Sequence, residues 1–188
     1  NIKRKKLLQV GFVILVGIGI QGCSSTSKAK TSSTAKSYTA RSIAAYFDPA
    51  TTSKKTPNAE GFIQRWLLLE PINKPNRSNT VFTDSYIRKA FDTLYFPNQF
   101  TVLPKDSEKV TVGQQELTWH ALDSKNYNVK LFRFAYGLNK QIYGVLFWAV
   151  TVINSPEEMK NVRMAVGSNS ASMWWLNGKE AAILSGDR

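Results

Sequence analysis

The chain has 188 residues and carries 25 Lys or Arg against 13 Asp or Glu, a formal net charge of +12, with one His and one Cys. That charge does not point to nucleic acid: residues 1–41 hold eight Lys or Arg and no acid, whereas residues 42–188 hold seventeen against thirteen, which leaves the body at only +4. A lone Cys excludes an internal disulfide, and with a single His it leaves only carboxylates as metal donors, Glu157-Glu158 being the sole acidic pair; no metal site or cofactor is assigned, and structural calcium held by backbone carbonyls stays open.

The first element in chain order is a leader. Lys3-Arg4-Lys5-Lys6 precede an apolar or glycine run from Val10 to Ile20, which ends in Ile20-Gln21-Gly22-Cys23. A basic start, a short apolar core and small residues before a cut site mark a secretory signal. The run is shorter than the roughly 20 residues a spanning helix needs. Its ending resembles the lipobox of bacterial lipoproteins. The resemblance implies that residues 1–22 are a signal peptide and that Cys23 becomes the N-terminus, carrying lipid through its sulfur. The membrane is then a partner through that anchor, since two or three acyl chains hold firmly where one does not. Ser24 stands where many inner-membrane lipoproteins of Gram-negative bacteria carry Asp, so by analogy the outer membrane is the expected location. Residues 23–59 are expected to form the lipidated Cys and a flexible tether, because Ser24 to Thr39 is rich in Ser, Thr, Ala and Lys and cannot bury a core. Ile43 to Phe47 is a possible short element within it.

The body, residues 60–188, has room for one domain. Phe62 to Leu69 reads as a buried strand closed by Pro71. Tyr86, Ile87, Ala90, Phe91 and Leu94 share one helical face, which predicts a helix over 84–94 capped by Asp84 or Thr83 and stopped by Pro97. The strands expected after it are Gln115–Ala121, Val129–Tyr136, Tyr143–Ile153, Val162–Gly167 and Ala171–Leu176. Gly144 to Val150 is apolar on both faces, as in a central, doubly covered strand. Short strands with regular turn signals argue for a mainly β fold, a β-sandwich of jelly-roll type with one short helix.

Little catalytic chemistry is visible. His120 lies in a strand pattern, where a packed or hydrogen-bonded His is the ordinary case. The nucleophile elbow Gly-x-Ser-x-Gly is absent; Gly167-Ser168-Asn169-Ser170-Ala171 has Asn at its centre. No catalytic residue is assigned. The sharpest local pattern is Val162 to Lys179, in which Asn177-Gly178 supplies a tight hairpin turn. Trp174 and Trp175 are consecutive, so in a strand they point to opposite faces. Flat aromatic rings with a polar rim suit sugar stacking, which makes Trp174, Trp175 and Asn177 the candidate carbohydrate contacts beside a purely structural role.

The pattern Gly167-Ser168-Asn169-Ser170 followed by Trp175-Leu176-Asn177-Gly178-Lys179 resembles the hairpin of galactose-binding-like jelly-roll domains. It departs from them at Asn169 and Ser170, where acids often stand. Phe62 to Pro71, the helix at 84–94, Trp119 to Asp123, Val145 to Ile153 and the hairpin occur in an order similar to the N-terminal, non-catalytic region of lipoprotein acetylxylan or feruloyl esterases of polysaccharide-degrading bacteria. That resemblance implies an accessory sandwich, with plant polysaccharide as a possible partner. It also implies an α/β-hydrolase domain with its own Ser-Asp-His triad after Arg188. The start at Asn1 and the end directly after Ala181 to Leu184 read as a fragment of a longer frame, and a jelly roll ending there would be incomplete. Two other readings stay open, a stand-alone glycan-binding lipoprotein and a structural envelope protein.

Overall fold

The computed structural model describes residues 6–16, 43–51, 54–74 and 84–184. Cys23 and the 24–39 segment lie outside the described residues. The fold is mainly β, a curled antiparallel arrangement of β-sandwich-like character. Among the described residues nine strands form it: β1 (Lys6–Val16), β2 (Phe47–Pro49), β3 (Arg65–Leu69), β4 (Ile72–Asn73), β5 (Lys109–Val112), β6 (Gln115–Ser124), β7 (Val145–Ser155), β8 (Ala171–Leu176) and β9 (Lys179–Leu184). The main path runs β2-β6-β3-β7-β1-β8-β9, with β4 against β7 and β5 against β6. Pro71, which has no N–H to donate, separates β3 from β4, and both pair with the same strand β7.

β7 is the central strand that its sequence predicts. Every residue from Val145 to Thr151 is buried. Its alternate side chains enter two different cores. Leu146, Trp148 and Val150 meet Leu69, Ile72, Trp119, Met173 and Trp175 on one face. Phe147 and Ala149 meet Trp66, Leu68, Leu122 and Trp174 on the other. Each face is roofed by a helix. α1 (Asp84–Asp92) covers the first with Ile87, Ala90 and Phe91, at the i, i+3, i+4 spacing of one helical face. α2 (Leu131–Gly137) covers the second with Leu131, Phe134 and Ala135 at the same spacing.

Two expected strands are absent. Val129–Tyr136 was expected to be extended, but Leu131–Gly137 is helical, because burying positions 131, 134 and 135 on one side requires the 3.6-residue period. Val162–Gly167 alternates in sequence yet forms no ladder, and Val162 and Met164 lie exposed. Alternation supplies a face but not a partner strand, and without one the backbone groups stay with water.

Part of the expected tether lies against the sheet. A 3-10 turn at Ile43–Ala45 leads into β2, which pairs Phe47 to Pro49 with Ser124 to Leu122. Phe47 is buried beside Phe134, their rings edge to face at 6.3 Å. The turn sits so close to α2 that a Cβ on Gly137 would lie 2.9 Å from the Ile43 nitrogen. A glycine there is a requirement of that approach.

β1 contains Val10 to Val16, the first part of the apolar run. It pairs antiparallel with β7 along all eleven residues, from Lys6↔Ser155 to Val16↔Val145. On its other side it pairs antiparallel with β8, from Val10↔Leu176 to Leu15↔Ala171.

Candidate functional site

The β8–β9 hairpin forms where its residues predict. Asn177 and Gly178 both adopt positive φ, 48° and 78°, as a type I′ turn demands. The turn rests on the loop after α1, where a Cβ at 178 would meet the Thr101 methyl at 2.7 Å. Gly178→Val is therefore expected to lower stability by about 1–3 kcal/mol, through backbone strain and that clash. A fall in thermal midpoint of several degrees checks it; an unchanged midpoint counts against the turn as described.

The strand reading of the tryptophans is correct in direction, but both ends of the pair are interior. Trp174 is 8 % exposed and Trp175 1 %, each in a different core. Trp174 Nε1 donates to the Ser172 hydroxyl at 3.0 Å. Trp175 packs 5.1 Å from Trp148 and edge-on to Phe100 at 5.5 Å, with its indole N–H buried and unpaired among the described residues. Neither ring offers an open face for a sugar. Asn177 alone of the three candidates lies on the surface.

His120 belongs to a polar cluster at the edge of the α2 face. Its Nε2 lies 3.6 Å from Glu70 Oε1, and Lys140 Nζ lies 3.2 Å from Glu70 Oε2. The Thr118 amide also donates to Glu70 Oε2, at 3.3 Å. The imidazole edge packs on Phe134 at 5.5 Å. Glu70 is buried, and Lys140 supplies the opposite charge that a buried carboxylate needs. Among the described residues His120 Nε2 is buried without a hydrogen-bond partner.

A second ionic group ties the β2–β6–β3 end of the sheet. Arg65 grips Asp123 through two hydrogen bonds of 2.8 and 2.9 Å, and Lys55 stands 3.5 Å away. The Arg65 hydrogen bonds hold the Asp123 carboxyl below the usual carboxylate range, against the opposing effect of burial. Among the described residues no group of three His, Cys, Asp or Glu could hold a metal ion.

A half-exposed aromatic group lies instead on and beside α2, where sequence reasoning missed it. Phe132 and Tyr136, four residues apart, stack at 6.1 Å with planes 24° apart. Tyr143, 44 % exposed, lies 6.3 Å from Phe132. Arg133 bridges the Tyr46 and Phe132 rings at 5.0 and 5.2 Å. The extended reading of 129–136 hid this surface, because a strand would put Phe132, Phe134 and Tyr136 on one face, whereas the helix turns Phe134 into the core and leaves Phe132 and Tyr136 together at its half-buried side. A separate groove of about 440 Å³ lies beside Trp119, edged by Leu103, Glu108 and Lys109.

No family model, no curated protein and no solved structure matches this chain.

Proposed function

We propose that this chain is the non-catalytic accessory module of an exported carbohydrate esterase of the acetylxylan or feruloyl type. In this reading Cys23 holds it by lipid in the outer membrane, and the catalytic domain lies beyond Arg188. The observation that supports the reading is the β8–β9 hairpin. Its Trp-Leu-Asn-Gly-Lys segment is strand β8 and the turn into β9, with Asn177 and Gly178 at positive φ; this is the part of the resembling pattern that forms, since Val162–Gly167, its first strand, does not. No helix among the described residues is long and apolar enough to cross a membrane. Attachment in this reading comes from the acyl chains on Cys23, and the folded body spaces the enzyme from the bilayer.

The test uses the whole gene product from native envelopes and its Cys23→Ser variant. The native protein is expected to partition into detergent and to release acetate or ferulate from substituted xylan. The variant is expected to partition into water. A gene product that releases neither acid refutes the esterase reading, and detergent partition that ignores Cys23→Ser refutes the anchor.

A second reading, glycan binding by the module itself, is favoured by exposed Tyr143 beside the half-buried Phe132 and Tyr136, because aromatic rings with polar neighbours suit sugar stacking. Retardation of the protein in a xylan-containing gel, lost in Phe132→Ala and Tyr143→Ala but kept in Asn177→Ala, is the expected pattern for it. Equal mobility with and without xylan counts against it.

A further inference from the structure

β1 occupies a place that its own sequence gives it reason to leave. Its eleven residues lie within the basic and apolar parts of the leader. It is hydrogen-bonded on both sides, antiparallel to β7 and to β8. β7 and β8 therefore run parallel to each other, with one strand between them. At about 4.8 Å per strand step they stand roughly 10 Å apart.

Removal of residues 1–22 takes this strand out of the middle of the sheet. The ladder edges of β7 and β8 then face an empty row, and each carries backbone N–H and C=O groups that must be paired or wetted. The side chains beside the row are mostly apolar on both faces. Leu146, Trp148, Met173 and Trp175 lie toward one core, with Phe147, Ala149 and Trp174 toward the other. Water is a poor substitute in such a row.

We propose that the cleft between β7 and β8 is a strand-accepting site. It holds Lys6–Val16 in the intact chain. Once the leader is removed, it takes an extended polypeptide segment, apolar on both faces, running antiparallel to both strands. The inference rests on reading residues 1–22 as a leader. The required chemistry follows from the register. Opposite Val145 to Thr151 the neighbours are wholly buried, so about seven residues of the guest must be apolar on both sides. Toward Ser155 the strand loosens, with Asn154 exposed, so the first residues of the guest can be polar, as Lys6 and Gln9 are. Main-chain hydrogen bonds supply affinity in such strand addition, and the two-sided apolar requirement supplies selectivity.

The test uses the full chain with a protease site inserted between residues 24 and 39. The probe is a fluorescent synthetic peptide of residues 6–16 with a solubilising basic tail. After cleavage of the folded protein the peptide is expected to bind at one per chain. The unlabelled peptide is expected to compete, and Val13→Asp in the peptide to weaken uptake at least tenfold. A cleaved chain that keeps its near-ultraviolet spectrum yet takes up no peptide overturns the proposal, since β7 and β8 have then closed on each other. A cleaved chain that only dimerises, again without uptake, overturns it too, the guest then being a second copy.

A second measurement covers a cleaved chain that unfolds. In full chain carrying Cys23→Ser, the pair Phe12→Cys and Ala149→Cys occupies register partners. Near-complete disulfide formation supports the seat, and none overturns it. The leader reading is judged separately by the N-terminus of protein taken from envelopes. A product that retains residues 6–16 removes the occasion for exchange and leaves the uptake result standing.

Discussion

Trp148→Ala is expected to lower the stability of the fold by about 3–5 kcal/mol, a large part of the roughly 5–15 kcal/mol that holds a typical domain together. Trp148 is fully buried at the centre of β7. Four rings surround it: Phe96 at 5.4 Å, Phe100 at 5.9 Å, Tyr95 at 6.4 Å and Trp175 at 5.1 Å. Truncation leaves a cavity between aromatic walls that cannot collapse without unstacking one another. It also strands an acceptor. Trp148 Nε1 donates to the Gln99 carbonyl at 3.1 Å, and Gln99 is buried away from water. The Gln99 side chain is itself fixed at both ends, accepting from the Tyr95 amide and donating to the Thr93 carbonyl, each at 2.9 Å. Urea unfolding is the check, with a lowered midpoint at unchanged slope. Trp148→Phe should recover most of the packing while leaving the Gln99 carbonyl unpaired, and so retain about 1–2 kcal/mol of the loss. A loss below about 1 kcal/mol for the alanine variant would mean that this cluster is not the core of the fold.

The second large effect concerns Arg65 and Asp123, expected to cost about 3 kcal/mol when Asp123→Ala leaves the guanidinium without its partner at the edge of the core. The pair also makes stability depend on acid. Asp123 in the folded chain titrates below its ordinary value of 3.8, because Arg65 hydrogen-bonds the charged form. A group depressed by folding contributes stability that is fully present above its unfolded pKa and is lost as pH falls through its folded pKa. The contribution should thus be intact at neutral pH, begin to fade near pH 4 and vanish below the depressed value. Arg65→Met removes the cause of the depression. Its stability profile is expected to be flatter than that of the native chain below pH 4, with the two curves converging in strong acid. Parallel curves over that window would show that the pair does not couple to folding.

Local periodicity identified the elements that pack through one regular face. α1 was expected at 84–94 and occupies Asp84–Asp92, because Ile87, Ala90 and Phe91 allow only a helical spacing. β8 and its turn were legible to the residue, since Asn177-Gly178 is a turn whatever surrounds it. Elements defined by distant partners were not. Leu131 to Gly137 holds aromatic and apolar residues in an order that satisfies an alternating pattern and a helical one alike. The decision lies with the core it covers, built from Trp66, Leu122 and Phe147. Lys109–Val112 is half exposed and escaped notice because its pairing with β6, not its own pattern, makes it a strand. The sharpest ambiguity is Val10 to Val16. A continuous apolar run of this length serves equally as a leader's core and as a strand buried on both sides, and hydropathy cannot separate them. The candidate site suffered the same way. The Trp174–Trp175 alternation was readable, but the coverings that bury both rings are supplied by segments far away in sequence.

The place of β1 in the sheet sets an order of events during synthesis. Its partners on β7 lie between 129 and 149 residues further along the chain, from Val16↔Val145 to Lys6↔Ser155, and those on β8 later still. At ribosomal speeds of about 5–20 residues per second, the segment waits roughly 7 to 30 seconds before anything exists for it to pair with. Throughout that interval it is an apolar stretch of nascent chain without its strand partners. Whatever recognises such stretches therefore meets it before the sheet can claim it, and its fate is decided by a race between capture and translation.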